Sequence, residues 1–170
     1  ALDEELSRLG PYRWEMGTGV RAENAFAVSP DGDAELLAEA RRIISLAPPL
    51  PRWEFVAGRP PRDRFAEFTM LTENGEADEI DASGWKYVLL RYPHSEHELL
   101  VEQRDLSGLS DDDRYAAAAL LLDALLGEQE RLTKIDSIGT FVSLPAEYVR
   151  QARSISELRD HLLPSSTERN

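Results

Sequence analysis

Two histidines three residues apart, His94 and His97, give this chain its one spacing that a transition metal could use, with Glu96 and Glu98 beside them. A catalytic zinc needs three protein ligands in fixed geometry. The segment offers two imidazoles and a carboxylate on the tip of a turn, and the plainer reading, an exposed polar turn, is favoured. No metal and no cofactor is therefore expected, with His94 and His97 kept as the only metal candidates. The third histidine, His161, is expected at the surface. A second group, Arg59, Arg62 and Arg64 around Asp63, could hold a phosphate or carboxylate ligand through guanidinium forks. Pairing with neighbouring acids is the preferred reading, since arginines in an acidic chain find such partners first.

The third group is acidic. Glu73, Glu76, Asp78, Glu79 and Asp81 precede one strand pattern, and Asp105, Asp111, Asp112 and Asp113 follow the next. Calcium would want carboxylates at alternate positions with Gly at the sixth, and residues 78–84 do not match that. Such carboxylates can instead attract a basic surface, most strongly at low salt. The alternative is a solvated acidic end, in which the helix N-terminus stabilises Asp111 to Asp113 by about 0.3–1 kcal/mol each.

Reactive constellations are otherwise missing. The absence of cysteine removes disulfides, zinc–thiolate sites and thiol nucleophiles together. There is no Gly-x-Ser-x-Gly elbow, phosphate-binding glycine loop or His-Glu-x-x-His. With 32 acids, carboxylate pairs arise by accident and give a glycosidase no support.

Charge is unevenly spread. Of the net −13, −12 lies in residues 65–130, where sixteen acids face Lys86, Arg91, Arg104 and Arg114. An acidic chain lacks the Lys/Arg stripe of a nucleic-acid binder. The longest strongly apolar run, Ala116 to Leu122, is too short to span a bilayer. Residues 1–6 lack the basic and apolar regions of a signal peptide, and together with the missing cysteines they lead to an expected cytoplasmic location.

Periodicity places these groups on elements. Residues 2–9 read as a helix stopped by Gly10-Pro11, and 12–16 and 22–29 as strands. Asp31-Gly32-Asp33 offers an N-cap to a helix whose apolar residues run from Leu36 to Ala47, and Pro48-Pro49 ends it. A strand over 52–59 completes a βαβ unit with parallel strands. Residues 65–72 are a short strand, and 73–83 a loop or hairpin turn around Asn74-Gly75. Residues 85–92 and 98–103 form a hairpin. Ser110 caps the longest helix, whose core face is read as Tyr115, Ala118, Ala119, Leu122 and Leu126, with Gly127 at its end. Residues 132–143 read as a last strand, 156–163 as a terminal helix and 164–170 as a frayed tail. Trp85 and Tyr87 share one strand face and Val88 and Leu90 the other, so one pair is expected to point away from the helices.

The segment from Ala47 to Phe55, Ala-Pro-Pro-Leu-Pro-Arg-Trp-Glu-Phe, followed by Arg59-Pro60-Pro61, resembles an Ala-Pro-x-Leu-Pro-x-Trp-x-Phe helix-to-strand turn of bacterial α+β proteins without assigned activity. The resemblance covers residues 22–145. It implies an α+β fold and carries over no functional residue.

The expected architecture is one α+β domain over residues 1–163. Its form is a ferredoxin-like two-layer sandwich, a mostly antiparallel mixed sheet with two main helices on one face. If 85–92 and 98–103 pair antiparallel, the acidic groups at 73–81 and 105–113 reach the same sheet edge. The expected function is non-enzymatic: docking of a basic protein partner at that edge, in the manner of an inhibitor or immunity protein, without nucleic acid or membrane. The rival is a small-molecule or metal enzyme with its site near the 93–98 hairpin or at Arg59–Arg64. A homodimer is compatible with either.

Overall fold

The computed structural model describes residues 2–62, 66–93 and 97–163, without the side chains of Leu2, Asp3 and Leu6. Arg64, His94, Glu96 and the tail 164–170 lie outside the described residues. The chain is α+β, and it divides into two compact units. Ala1–Pro61 with Leu126–Thr133 make unit 1, and Arg62–Leu125 with Lys134–Asn170 make unit 2. Among the described residues, the strands expected to share one ferredoxin-like sheet fall into three separate sheets of three, two and four strands.

Unit 1 begins with α1 (Leu2–Leu9), followed by β1 (Arg13–Thr18) and β2 (Asn24–Ser29), then α2 (Leu37–Ser45) and β3 (Trp53–Ala57). β1 pairs antiparallel with β2, and β2 pairs parallel with β3, as the βαβ pattern requires. Aromatic side chains cross this sheet in a row. Trp14 stacks on Phe26 at a centroid distance of 6.0 Å, and Phe26 meets Phe55 at 6.1 Å. Ile43 and Ile44 of α2 pack with Trp14 and Phe26 around Tyr12, Val28 and Ala40. The helix starts later than the Asp31-Gly32-Asp33 signal implies. Asp33 Oδ1 accepts the Glu35 N–H at 2.8 Å, and this local turn precedes the first helical residue.

Unit 2 holds two sheets. β4 (Glu67–Leu71) and β5 (Ala77–Asp81) form a hairpin whose three-residue loop, Glu73-Asn74-Gly75 beyond Thr72, is closed by the Gly75 N–H on the Thr72 carbonyl at 2.8 Å. Gly75 sits at φ 82°, a backbone that favours glycine. β5 occupies much of what reads as an acidic loop. Its large apolar residue, Ile80, and Met70 of β4 are both buried, and that burial outweighs the poor strand propensity of Asp and Glu.

In the other sheet, β6 (Lys86–Arg91) and β7 (His97–Glu102) pair antiparallel from Lys86↔Glu102 to Arg91↔His97. β7 runs parallel to β8 (Ser137–Phe141), and the two-residue β9 (Arg153–Ser154) lies on the far side of β6. Between β7 and β8 the chain forms α3 (Asp111–Leu126) and α4 (Glu128–Lys134). Of the expected core face of α3, Ala118, Leu122 and Leu126 are buried, joined by Ala117, Leu121 and Ala124, while Tyr115 is exposed and Ala119 half-buried. In an alanine-rich helix with apolar residues on every side, spacing alone does not choose the face. Residues 132–134, expected to begin the last strand, belong to α4, whose Glu-Gln-Glu-Arg sequence favours a helix.

The C-terminal segment corrects two further expectations. It includes α5 (Leu158–Leu162), and Leu158 is fully buried. Trp85, Tyr87 and Val88 are all buried, so residues expected on opposite strand faces are both covered and leave no aromatic platform. His161 is not a free surface residue. Its Nδ1 shares a 2.8 Å hydrogen bond with the Tyr87 hydroxyl. Burial, with the charges of Arg153 and Arg91, holds its pKa below the usual histidine value, while Glu157 acts the other way.

A histidine whose folded pKa is depressed binds its proton more readily in the unfolded chain, so stability falls as pH drops through the unfolded value of about 6.5. Urea midpoints measured between pH 7.5 and 5.5 are expected to decline for the native chain and to decline less for His161→Phe. Equal slopes would remove His161 from the pH response.

Candidate functional site

Two hairpins and a helix start bring the predicted acidic groups together in unit 2. The β4–β5 turn supplies Glu73 and Glu76, and β5 supplies Asp78 and Glu79. The segment after β7 supplies Asp105, and the first turn of α3 supplies Asp113. These six carboxylates line one groove of about 630 Å³, and among the described residues its wall has no Lys or Arg. The pairing Lys86↔Glu102 sets the reach, because it lays the end of β7 beside the start of β6. Gln103, fully buried, donates from Nε2 to the Arg114 carbonyl at 3.0 Å and so ties the end of β7 to α3.

The groove residues are not equivalent. Asp113 is buried, and its Oδ1 accepts the Glu73 N–H at 2.9 Å while its Oδ2 accepts the Ser110 hydroxyl at 2.9 Å. Ser110 Oγ in turn accepts the Asp113 N–H at 3.0 Å, a reciprocal cap. Asp113 thus staples the β4–β5 turn to the start of α3. Glu73, Glu76, Glu79 and Asp105 are exposed and Asp78 is half-buried.

Three predicted acids lie differently. Asp111 pairs with Arg114 one turn on. Asp112 is exposed and does not line the groove. Asp81 sits at the other end of β5, where the Ser83 hydroxyl and backbone N–H hold its carboxyl below the usual range.

This division has a measurable consequence. Asp113→Ala should lower unfolding stability by about 1–2 kcal/mol, the cost of a lost cap and an unpartnered amide, and should speed hydrogen exchange at Glu73. Asp112→Ala should leave both unchanged. Equal stability of the two variants would show that Asp113 is not a staple.

Arg59, in unit 1, gives Nη2 to Asp31 Oδ1 at 2.7 Å and places Nη1 3.8 Å from Glu128 Oε1. Burial raises the Asp31 pKa, but the bonds and charges of Arg59 and Arg13 outweigh it and leave the carboxyl below its ordinary value. Arg62, in unit 2, bonds through its backbone N–H to the Ala124 carbonyl at 2.7 Å. His97 is half-buried on β7, and its backbone N–H donates to Asp136 Oδ2 at 2.6 Å. Among the described residues no group of His, Asp and Glu side chains is arranged to hold a metal ion.

Two buried carboxylates escape a sequence reading. Glu102 of β7 accepts the Leu144 N–H at 3.2 Å and pairs with Arg104 at 3.1 Å. Glu128, with no exposed surface, accepts three hydrogen bonds within unit 1. They come from the Ser29 hydroxyl at 3.0 Å, the Gly32 N–H at 2.8 Å and the Arg59 N–H at 2.9 Å. Its one local signal is its place directly after Gly127, which turns at φ 87°. Buried acids also thin the apparent charge. Among the described residues Glu102, Asp113, Asp123 and Glu128 are buried members of the sixteen in 65–130.

No protein family, curated protein or solved structure matches this chain. Among the described residues no helix is long and apolar enough to cross a membrane.

Proposed function

We propose that the chain is a non-enzymatic binder of a basic protein, of inhibitor or immunity type, and that the partner docks on the acidic groove of unit 2. One observation carries this reading. Glu73, Glu76, Asp78, Glu79 and Asp105 surround a single concavity from three chain segments, with no basic side chain in its wall among the described residues. Like charges gathered in this way repel one another, and a cationic surface relieves that repulsion while gaining steering in return. The curved wall adds a shape that a plain acidic patch lacks. The reading takes the protein to be cytoplasmic, in keeping with the absence of cysteine.

The test is affinity capture from the native cell at about 0.02 M salt, where screening is weak. The native chain is run beside a variant carrying Glu76→Gln, Asp78→Asn, Glu79→Gln and Asp105→Asn. A basic protein retained by the native chain and lost by the variant is the expected result. Asp113 stays unchanged in the variant because of its stapling role. Equal capture by both chains would remove the groove from the function.

A further inference from the structure

Unit 1 contains a cavity of about 450 Å³ that is separate from the acidic groove in sequence and in chemistry. Its apolar wall includes Ile44 of α2, Phe55 of β3, Pro60, Pro61 and Leu126. Its charged wall is Arg21, Arg41 and Arg59 against Glu54 and Glu130, three cations to two carboxylates. A volume in this range, mostly apolar with a few polar groups, is typical of a small-molecule site.

Arg21 and Arg41 are tethered through one nitrogen each. Arg41 Nε donates to Gln129 Oε1 at 3.2 Å. Arg21 Nε pairs with Glu54 Oε2 at 3.2 Å, and Glu54 also accepts the backbone N–H groups of Val20 and Arg21. Among the described residues the terminal nitrogens of neither guanidinium have another protein partner. A guanidinium held at Nε keeps its outer edge for a carboxylate or phosphate.

The wall is also fixed in advance. Gly58 and Gly127 both have positive φ. A Cβ on Gly58 would lie 3.0 Å from the Gln129 nitrogen, and one on Gly127 would lie 3.0 Å from Pro61 Cδ. The stretch 58–61 therefore lies close against 127–129, and the Arg59–Glu128 hydrogen bond locks that approach. A rigid pocket spares a ligand the entropy of ordering it.

We propose that this cavity binds a small molecule with an apolar body and one anionic head group, carboxylate or phosphate, the head group being held by Arg41 and Arg21. The proposal is independent of the docking groove. Octanoate, octyl phosphate and octan-1-ol serve as probes in calorimetric titrations of the full chain. Saturable one-to-one binding of at least one anion is expected, with octan-1-ol weaker by about tenfold or more, as loss of a charge-assisted hydrogen bond implies. The tighter of the two anions identifies the head group.

Arg41→Gln should weaken anion binding by about tenfold and leave the thermal midpoint unchanged, because the side chain is exposed and among the described residues bonds only to Gln129. Ile44→Trp should fill the cavity and remove binding. The four-residue groove variant should bind the probes like the native chain. No saturable binding of either anion up to about 1 mM, equal affinity for octan-1-ol, or an unchanged Arg41→Gln would each overturn the proposal.

Discussion

Replacing Glu128 by alanine is expected to lower the free energy of unfolding by about 3–5 kcal/mol, the cost of breaking a buried charged network by removing one partner. Three donors lose their acceptor at once: the Ser29 hydroxyl and the N–H groups of Gly32 and Arg59. A buried donor left without a partner costs about 1–3 kcal/mol. Arg59 also loses its longer ion pair, 3.8 Å to Glu128, and keeps the shorter one to Asp31. The fully buried position admits little compensating hydration. Glu128→Gln keeps one carbonyl oxygen for Ser29 and Gly32 but presents an amide to the Arg59 N–H, so a smaller loss of about 1–3 kcal/mol is expected. Urea unfolding of the three chains measures the series. An alanine variant within about 1 kcal/mol of the native chain would show that the network does not stabilise the fold.

The largest functional effect is expected at the groove. Electrostatic steering raises association from about 10⁵–10⁶ to 10⁸–10⁹ M⁻¹s⁻¹ at low salt in complexes that use it. Neutralising Glu76, Asp78, Glu79 and Asp105 removes four of the six carboxylates that line the concavity. Association with the captured basic partner should slow by about 10- to 100-fold, with dissociation changing less, because exposed rim charges act mainly on encounter. Unfolding stability should hold or rise slightly, since the substitutions relieve mutual repulsion and leave the Asp113 staple in place. Stopped-flow mixing separates the two rates. A variant that associates as fast as the native chain would place docking elsewhere.

Much of the backbone is legible from residue patterns where the physics is local. The βαβ unit of β2, α2 and β3 follows from a helical stripe between prolines, and the β6–β7 hairpin follows from two apolar runs. The expected meeting of the 73–81 and 105–113 acids follows in part, because antiparallel pairing fixes which strand ends are neighbours: Glu73, Glu76, Asp78, Glu79, Asp105 and Asp113 share a groove, while Asp81, Asp111 and Asp112 do not line it. Elements decided by distant contacts are less legible. β5 reads as a polar loop because only Ile80 marks its buried side. The division into three sheets depends on which strand edges pair, and strand patterns do not encode edges. Tyr115 looks like a core residue by spacing alone, yet the buried stripe of α3 runs through Ala117 and Leu121.

The same difference separates the visible site from the hidden ones. Surface charge is countable in a sequence, so the groove could be anticipated. Glu128 and Glu102 look identical to surface acids there, because burial and hydrogen-bond partners 42 to 99 residues away give them their roles. His161 is read as surface for a similar reason, since its partner Tyr87 lies 74 residues earlier.

The most direct measurement is the association rate with the captured partner, followed from about 0.01 to 0.5 M salt for the native chain and the four-residue groove variant, a range over which the Debye length shrinks several-fold. Docking through the groove predicts a steep fall for the native chain, a shallow one for the variant, and convergence at high salt. A flat response of the native chain, or parallel curves for the two proteins, would contradict it.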